Sequence, residues 1–403
     1  MKLFYFPHKI FLYSSLIILT LLILPFYELG FKYYLSTYFF TLICFLSAFL
    51  GLKFGGNSFK EKPIVRNILS LKKYNLLLSI LIKISIIGII ITTYEWFVVR
   101  GLGFTYDITS NYIKWTESST SIFSIISAIT NTFCIFLIPV YLQKNYHHND
   151  KRYLKICILL LIFYLILISI SGSRAQLISS LMIQILAYSF YFRLNKLVIL
   201  IFPILVIFFS GYYFNLKIGG YGSDLLNSLY FSGYVFTISP MIDMSELYDL
   251  NFFTTSLLHI YMYLIHGTYE FMYMIENSTI YYDFGKNLLW LPIKFFNFIS
   301  PIIDTRSFDN YRSGIYQTFA GTFFRDFKFF SPIFIFFIFF IIAIPFKKLN
   351  EGDELWLCTV IALTLCLLYC PIMNVFSSGP IGYYIATSLF IKLITSMVKK
   401  YNE

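Results

Sequence analysis

The chain has 403 residues, of which 58% are hydrophobic and only 13% charged, with a mean hydropathy of +0.73 and a formal net charge of +11. Soluble domains carry about 25% charged residues, so this composition excludes an ordinary water-soluble globular protein. The positive charge is confined to particular connections and reports topology, which argues against a nucleic-acid partner.

Apolar runs of about twenty residues are the length that crosses hydrocarbon as a helix. They predict helices near 10–28, 33–52, 76–99, 122–143, 154–171, 175–192, 197–214, 331–346, 355–374 and 380–397. Lys2 and Lys9 ahead of the first run resemble a secretory signal, but "LPFYELG" follows in place of a small-x-small cleavage site. The run is therefore expected to stay as a membrane helix. Lys83 lies inside the third run, where its long stem can snorkel to the near face, with an ion-path role as the alternative. The cysteines all fall within apolar runs, so neither a disulfide framework nor a zinc site is expected.

Residues 215–330 break this pattern. "GGYGSDLLNSLYFSGY" is rich in Gly, Ser and Tyr, and "SLLHIYMYLIHGTYEFMYMIENS" is apolar but interrupted by His259, His266, Glu270 and Glu276. "LLWLPIKFFNFISPIID" is a short apolar stretch with two prolines. Spanning helices rarely hold so many ionisable groups unless they face a cavity. The expected fold is an all-α polytopic integral membrane protein of about ten transmembrane helices. One large external loop carries amphipathic or re-entrant helices, and twelve spans result if two of its segments cross. The chain then divides into an N-terminal bundle (1–214), the loop region (215–330) and C-terminal helices (331–403).

Lys53, Lys60, Lys62, Arg66, Lys72 and Lys73 follow the second run; Lys144, Lys151, Arg152 and Lys155 follow the fourth. Arg193, Lys196, Lys347, Lys348, Lys399 and Lys400 continue on alternate connections, whereas the opposite short ones hold Lys32, Arg100, Lys114 and Arg174. This is the positive-inside pattern, which places both termini in the cytoplasm and the 215–330 segment outside.

Between the fifth and sixth runs stands Ser171-Gly172-Ser173-Arg174. Ser173 can cap the next helix, placing Arg174 in its first turn, where unpaired N–H groups already favour anions. A guanidinium there can clamp a phosphate with two oxygens at once, and Gly172 admits a close ligand. An arginine touching lipid head-groups is the alternative. In "IIDTRSFDNYRSGIYQ", Asp304 precedes Arg306, Asp309 and Arg312, which are spaced to share one helical face. They form either a solvated ion network or a base beside anion binders. Arg325 and Asp326 stand before the 331–346 run as a pair at the helix start. His259, Tyr263, His266 and Glu270 share a helical stripe, but two turns, about 10 Å, separate the imidazoles, too far for one metal ion. A polar stripe on an interfacial helix fits better, with catalytic His266 as the alternative.

Taken together, the many apolar helices, the "SGSR" turn, the late external loop and a T-x-x-G-x-x-x-x-D-F element from Thr318 to Phe327 resemble the Wzy-type oligosaccharide repeat unit polymerases, the O-antigen polymerases. The specific matches cover about twenty residues. Members often have glycine after the Asp-Phe pair, where Lys328 stands here. The resemblance implies a membrane glycosyltransferase of the bacterial cytoplasmic (inner) membrane. It would polymerise undecaprenyl-diphosphate-linked oligosaccharide, as donor and acceptor, into O-antigen or a related surface polysaccharide. A flippase and a chain-length regulator are its expected partners, and no metal or cofactor is implied. Under this reading Arg174, Arg306, Arg312 and Arg325 bind diphosphate, because the leaving group's charge needs guanidiniums placed in advance. Asp309 leads as the base for the acceptor hydroxyl, followed by Asp304, Glu270 and His266. Ser171, Gly172, Ser173 and Asp326 complete the two motifs. The competing class is a flippase or transporter of the same lipid, which would favour an internal repeat with short loops; none is evident in the sequence.

Overall fold

A computed structural model describes residues 6–23, 27–28, 34–56, 68–103, 122–171, 173–192, 318–373 and 380–400. It also describes residues 237–238, 283–289 and single positions at 114, between 261 and 296, and at 375. These residues are overwhelmingly helical. The helices are α1 (Pro7–Ile23), α2 (Tyr34–Gly56), α3 (Leu71–Thr93, continued by a π-helical turn Tyr94–Val99), α4 (Ile122–Thr130) and α5 (Phe133–His148). After these come α6 (Leu154–Ser171), α7 (Arg174–Tyr191), α8 (Phe319–Phe327), α9 (Ser331–Asn350), α10 (Leu357–Tyr369) and α11 (Pro380–Lys400).

Among the described residues, six stretches are long and apolar enough to cross a membrane: Leu35–Gly56, Leu71–Val99, Ile126–His148, Leu154–Ser171, Phe319–Asn350 and Pro380–Lys400. Pro7–Ile23, Ala175–Tyr191 and Glu354–Tyr369 are apolar but shorter. The expected count of ten is thus not reached among the described residues, and the run at 197–214 lies outside them. Exposed apolar stripes at helical spacing, such as Leu35, Phe39, Ile43 and Leu46 on α2, present the bundle to lipid.

Local chemistry explains where the helices depart from their apolar runs. Ser70 caps α3, its hydroxyl accepting the Lys73 N–H at 3.4 Å, so the helix starts five residues ahead of the predicted boundary. The single helix expected at 122–143 is two, broken at Asn131 and Thr132. There the backbone of Gly88 on α3 comes so close that a Cβ would lie 2.5 Å from the Thr130 carbonyl carbon. Asn131 Nδ2 donates to Thr92 Oγ1 at 3.1 Å across the same contact. Within α5, Pro139 removes one helical donor, and the carbonyl left over at Ile135 accepts from Gln184 Nε2 of α7 at 2.8 Å.

α2 and α9 pack closely along their length. Cβ atoms built at Gly51 and Gly55 would meet the carbonyl oxygens of Phe336 and Phe340 at 2.3 and 2.4 Å. This small-xxx-small spacing lets two backbones touch where lipid gives no hydrophobic drive to association. Phe11, Phe45, Phe319 and Phe339 join α1, α2, α8 and α9 in one aromatic core.

The helix ends sort by charge. At one end, Lys144 of α5 donates to Asn75 Oδ1 of α3 at 3.1 Å, Gln143 donates to the Glu354 carbonyl before α10 at 3.1 Å, and Lys73 bonds the Lys399 carbonyl of α11. The Tyr146 and Tyr191 rings, closing α5 and α7, lie 4.9 Å apart at that end. Among the described residues, Lys73, Lys144 and Lys399 therefore gather on one side.

Candidate functional site

The turn between α6 and α7 lies at the opposite end. Ser171 closes α6, fully buried, its hydroxyl turned back onto the Ile168 carbonyl at 2.8 Å. Ser173 occupies the N-cap position of α7, and its carbonyl accepts the Leu177 N–H at 3.2 Å, but its hydroxyl caps nothing. The expected side-chain cap is therefore not formed, since the backbone at Ser173 has ψ of 87°, short of the extended value a capping serine adopts. Arg174 is the first residue of α7; its side chain and all of Gly172 lie outside the described residues. So do His266, Glu270, Asp304, Arg306, Asp309 and Arg312.

Below this turn a seam of hydroxyls runs through the apolar bundle. Ser180 Oγ lies 3.2 Å from Tyr384 Oη of α11, and Tyr384 donates to the Gln176 carbonyl at 3.3 Å. Groups of this kind are rare in a bilayer interior and come satisfied by one another.

The Thr318–Phe327 element forms α8. Thr318 caps it, accepting the Gly321 N–H at 3.3 Å, so the Thr and Gly of the motif serve one helix start. At the other end of α8 Asp326, wholly buried, accepts from Asn287 N at 3.2 Å, Asn287 Nδ2 at 2.9 Å and Leu288 N at 2.9 Å. Arg325 Nη2 lies 3.1 Å from Asp283 Oδ2, and the Asp283 N–H donates to the Arg325 carbonyl at 3.2 Å. Arg325 and Asp326 thus pin the turn 283–289 onto α8, and each has a protein partner. Lys328, where the resemblance has glycine, adopts φ 50° and ψ −129°, a region that L side chains avoid.

The two motifs, far apart in sequence, are joined by the end of α10. Cys370 O accepts the Phe319 N–H of α8 at 3.4 Å, and α10 packs against α7. Described parts of the 215–330 segment reach the same end. Tyr261 Oη donates to Leu21 O near the end of α1 at 3.0 Å, Gly267 O accepts Thr318 N at 3.4 Å, and residues 237–238 pair antiparallel with 27–28.

One site has no counterpart in the sequence reading. Glu95, in the π-helical turn that ends α3, is 1% exposed and ion-paired with Arg100. Ser124 of α4 donates to Glu95 Oε1 at 2.7 Å and accepts from Arg100 Nη2 at 2.9 Å. The available signal was an acid five residues from an arginine in an otherwise apolar run, "TTYEWFVVRG". Among the described residues, no three His, Cys, Asp or Glu side chains converge as metal ligands.

Long lipid-facing helices and small-residue packing define a helical membrane protein. No protein-family model, curated protein or solved structure matches the chain.

Proposed function

We propose that the protein is a membrane glycosyltransferase of the Wzy type. It transfers a growing oligosaccharide from its undecaprenyl diphosphate carrier to the sugar end of a new lipid-linked repeat unit. In this reading both termini are cytoplasmic, the bundle crosses the bacterial inner membrane, and the basic end of the bundle faces the cytoplasm. The observation that supports it is the contact of α10 with both elements, its Cys370 carbonyl accepting the Phe319 N–H of α8 while the helix packs against α7. Those two elements carry the resemblance, and transfer needs a phosphate clamp and an acceptor site side by side.

The acceptor oxygen attacks the anomeric carbon, the bond to the diphosphate breaks, and its electron pair leaves with the diphosphate. Arg174, with Arg306 and Arg312 from the external loop, stabilises that departing charge. Asp309 takes the acceptor proton, with Asp304, Glu270 and His266 as the other groups able to do so. Arg325 is committed to Asp283 and has a weaker claim on the diphosphate.

A deletion strain separates this reading from a flippase. Loss of a polymerase leaves single repeat units on the cell surface, seen as one short band on a gel of surface polysaccharide. Loss of a flippase leaves no repeat units there, and that result would overturn the proposal.

A further inference from the structure

The Glu95 site is built, buried and unused by the reaction just described. Its carboxylate is asymmetric. Oε1 is taken by Arg100 and Ser124, whereas Oε2, although shut off from solvent, has no hydrogen-bond partner. An unmatched buried carboxylate oxygen is costly. It sits in a π-helical turn, an irregularity common at functional sites. Trp96 beside it shares a buried apolar cluster with Leu102 and with Leu167, which lies one turn before Ser171 on α6.

We infer that Glu95 Oε2 is the acceptor for a hydroxyl of the lipid-linked sugar, making Glu95 a substrate-positioning residue. The inference rests on the proposed glycosyl transfer. The charge balance selects the ligand class. Arg100 is ion-paired with Glu95, so a metal or ammonium ion at Oε2 would meet a guanidinium beside it, whereas a neutral O–H donor meets an acceptor without that repulsion. In a site closed to water such a donor gains a charge-assisted bond without competition from solvent. Ser124 fixes the carboxylate plane, holding Oε2 in one direction. Because Oε2 is covered in this state, binding is coupled to a local opening, and the π-helical turn is the irregular element beside it.

The test uses purified full-length protein with a synthetic lipid-linked repeat unit, reading steady-state polymerisation and thermal stabilisation by the same compound. Glu95→Gln keeps the shape and loses the charge. It should raise KM about tenfold or more, the loss of one hydrogen bond to a charged acceptor, with kcat within roughly threefold of wild type. A fall in kcat at unchanged KM overturns the positioning role, and so does unchanged kinetics. Should Glu95→Gln fail to accumulate, Ser124→Ala keeps the Arg100 pair and frees Oε1; a raised KM supports the inference and an unchanged one overturns it. If wild-type protein is stabilised by the compound but does not polymerise it, the functional reading falls. Loss of that stabilisation in Glu95→Gln then still supports the hydroxyl site, and its retention overturns it.

Discussion

Asp326 holds Asn287 by two hydrogen bonds to one oxygen, from the backbone N–H at 3.2 Å and from the side-chain amide at 2.9 Å, while its other oxygen accepts the Leu288 N–H. A side chain spent in this way orders a turn. Asp326→Asn would point an amide N–H₂ at a backbone donor and leave one group unmatched. The expected cost is about 1–3 kcal/mol, read as a lower melting temperature in detergent and faster protease cleavage near 283–289. A variant with normal stability and lost turnover would instead mark Asp326 as a chemical group.

Lys328 carries backbone strain at φ 50° directly after that pair. Glycine adopts this conformation freely. Lys328→Gly should therefore stabilise the protein by about 1 kcal/mol, the strain relieved outweighing the added freedom of the unfolded chain. Thermal unfolding checks this, and a drop in melting temperature would mean that the Lys328 side chain over Phe324 matters more.

Gly51 and Gly55 are expected to tolerate no side chain. The atoms that a Cβ would strike at Gly51, Phe336 O at 2.3 Å and Phe340 N at 3.0 Å, are backbone and cannot rotate away. Gly51→Ala should cost about 1–3 kcal/mol by forcing α2 and α9 apart, measured as reduced melting temperature and membrane level. Normal behaviour of Gly51→Leu would rule out this contact.

Acid should weaken the basic end. Asp150 is held down to about 2 by the Arg152 backbone N–H, then by the Arg152 side chain and Lys144. Lys144 itself is fully buried, 3.3 Å from Asp150. A carboxylate whose folded value lies below its unfolded one contributes stability above the unfolded value, 3.8, and loses it as pH falls toward 2. The melting difference between wild type and Asp150→Asn should be constant above about pH 5 and shrink from there toward pH 2. A difference that persists at the lowest pH would assign the effect to packing.

If Arg174 clamps diphosphate, Arg174→Lys should fail nearly as badly as Arg174→Ala, because an ammonium cannot bind bidentately. The loss should be about a hundredfold in rate, or about 3 kcal/mol. Full-length polymer from a normally expressed Arg174→Ala would favour lipid head-group contact. In the same assay Asp309→Asn should abolish polymerisation while leaving substrate binding intact. Activity there, with loss in Asp304→Asn or Glu270→Gln, moves the base within the loop.

By itself the sequence determined the solvent and the helices. Apolar runs and alternating basic connections are local properties, and they located α2, α6, α7 and α11 to within a few residues. Lys73, Lys144 and Lys399 come to one end of the bundle for the same reason, since each lies next to the run it flanks. Tertiary structure decided what depends on a neighbour. The break at Asn131 comes from the approach of Gly88, a residue of another helix. Lys144 reads as one more topological charge, yet it is buried against Asn75 and Asp150. Arg325 and Asp326 look like a simple pair at a helix start until Asp283 and Asn287 arrive beside them. Glu95 shows no motif at all, because its meaning lies in Ser124 across the contact with α4 and in one oxygen that nothing meets. Periodicity records which face of a helix avoids water; which partner that face finds is set only when distant segments pack.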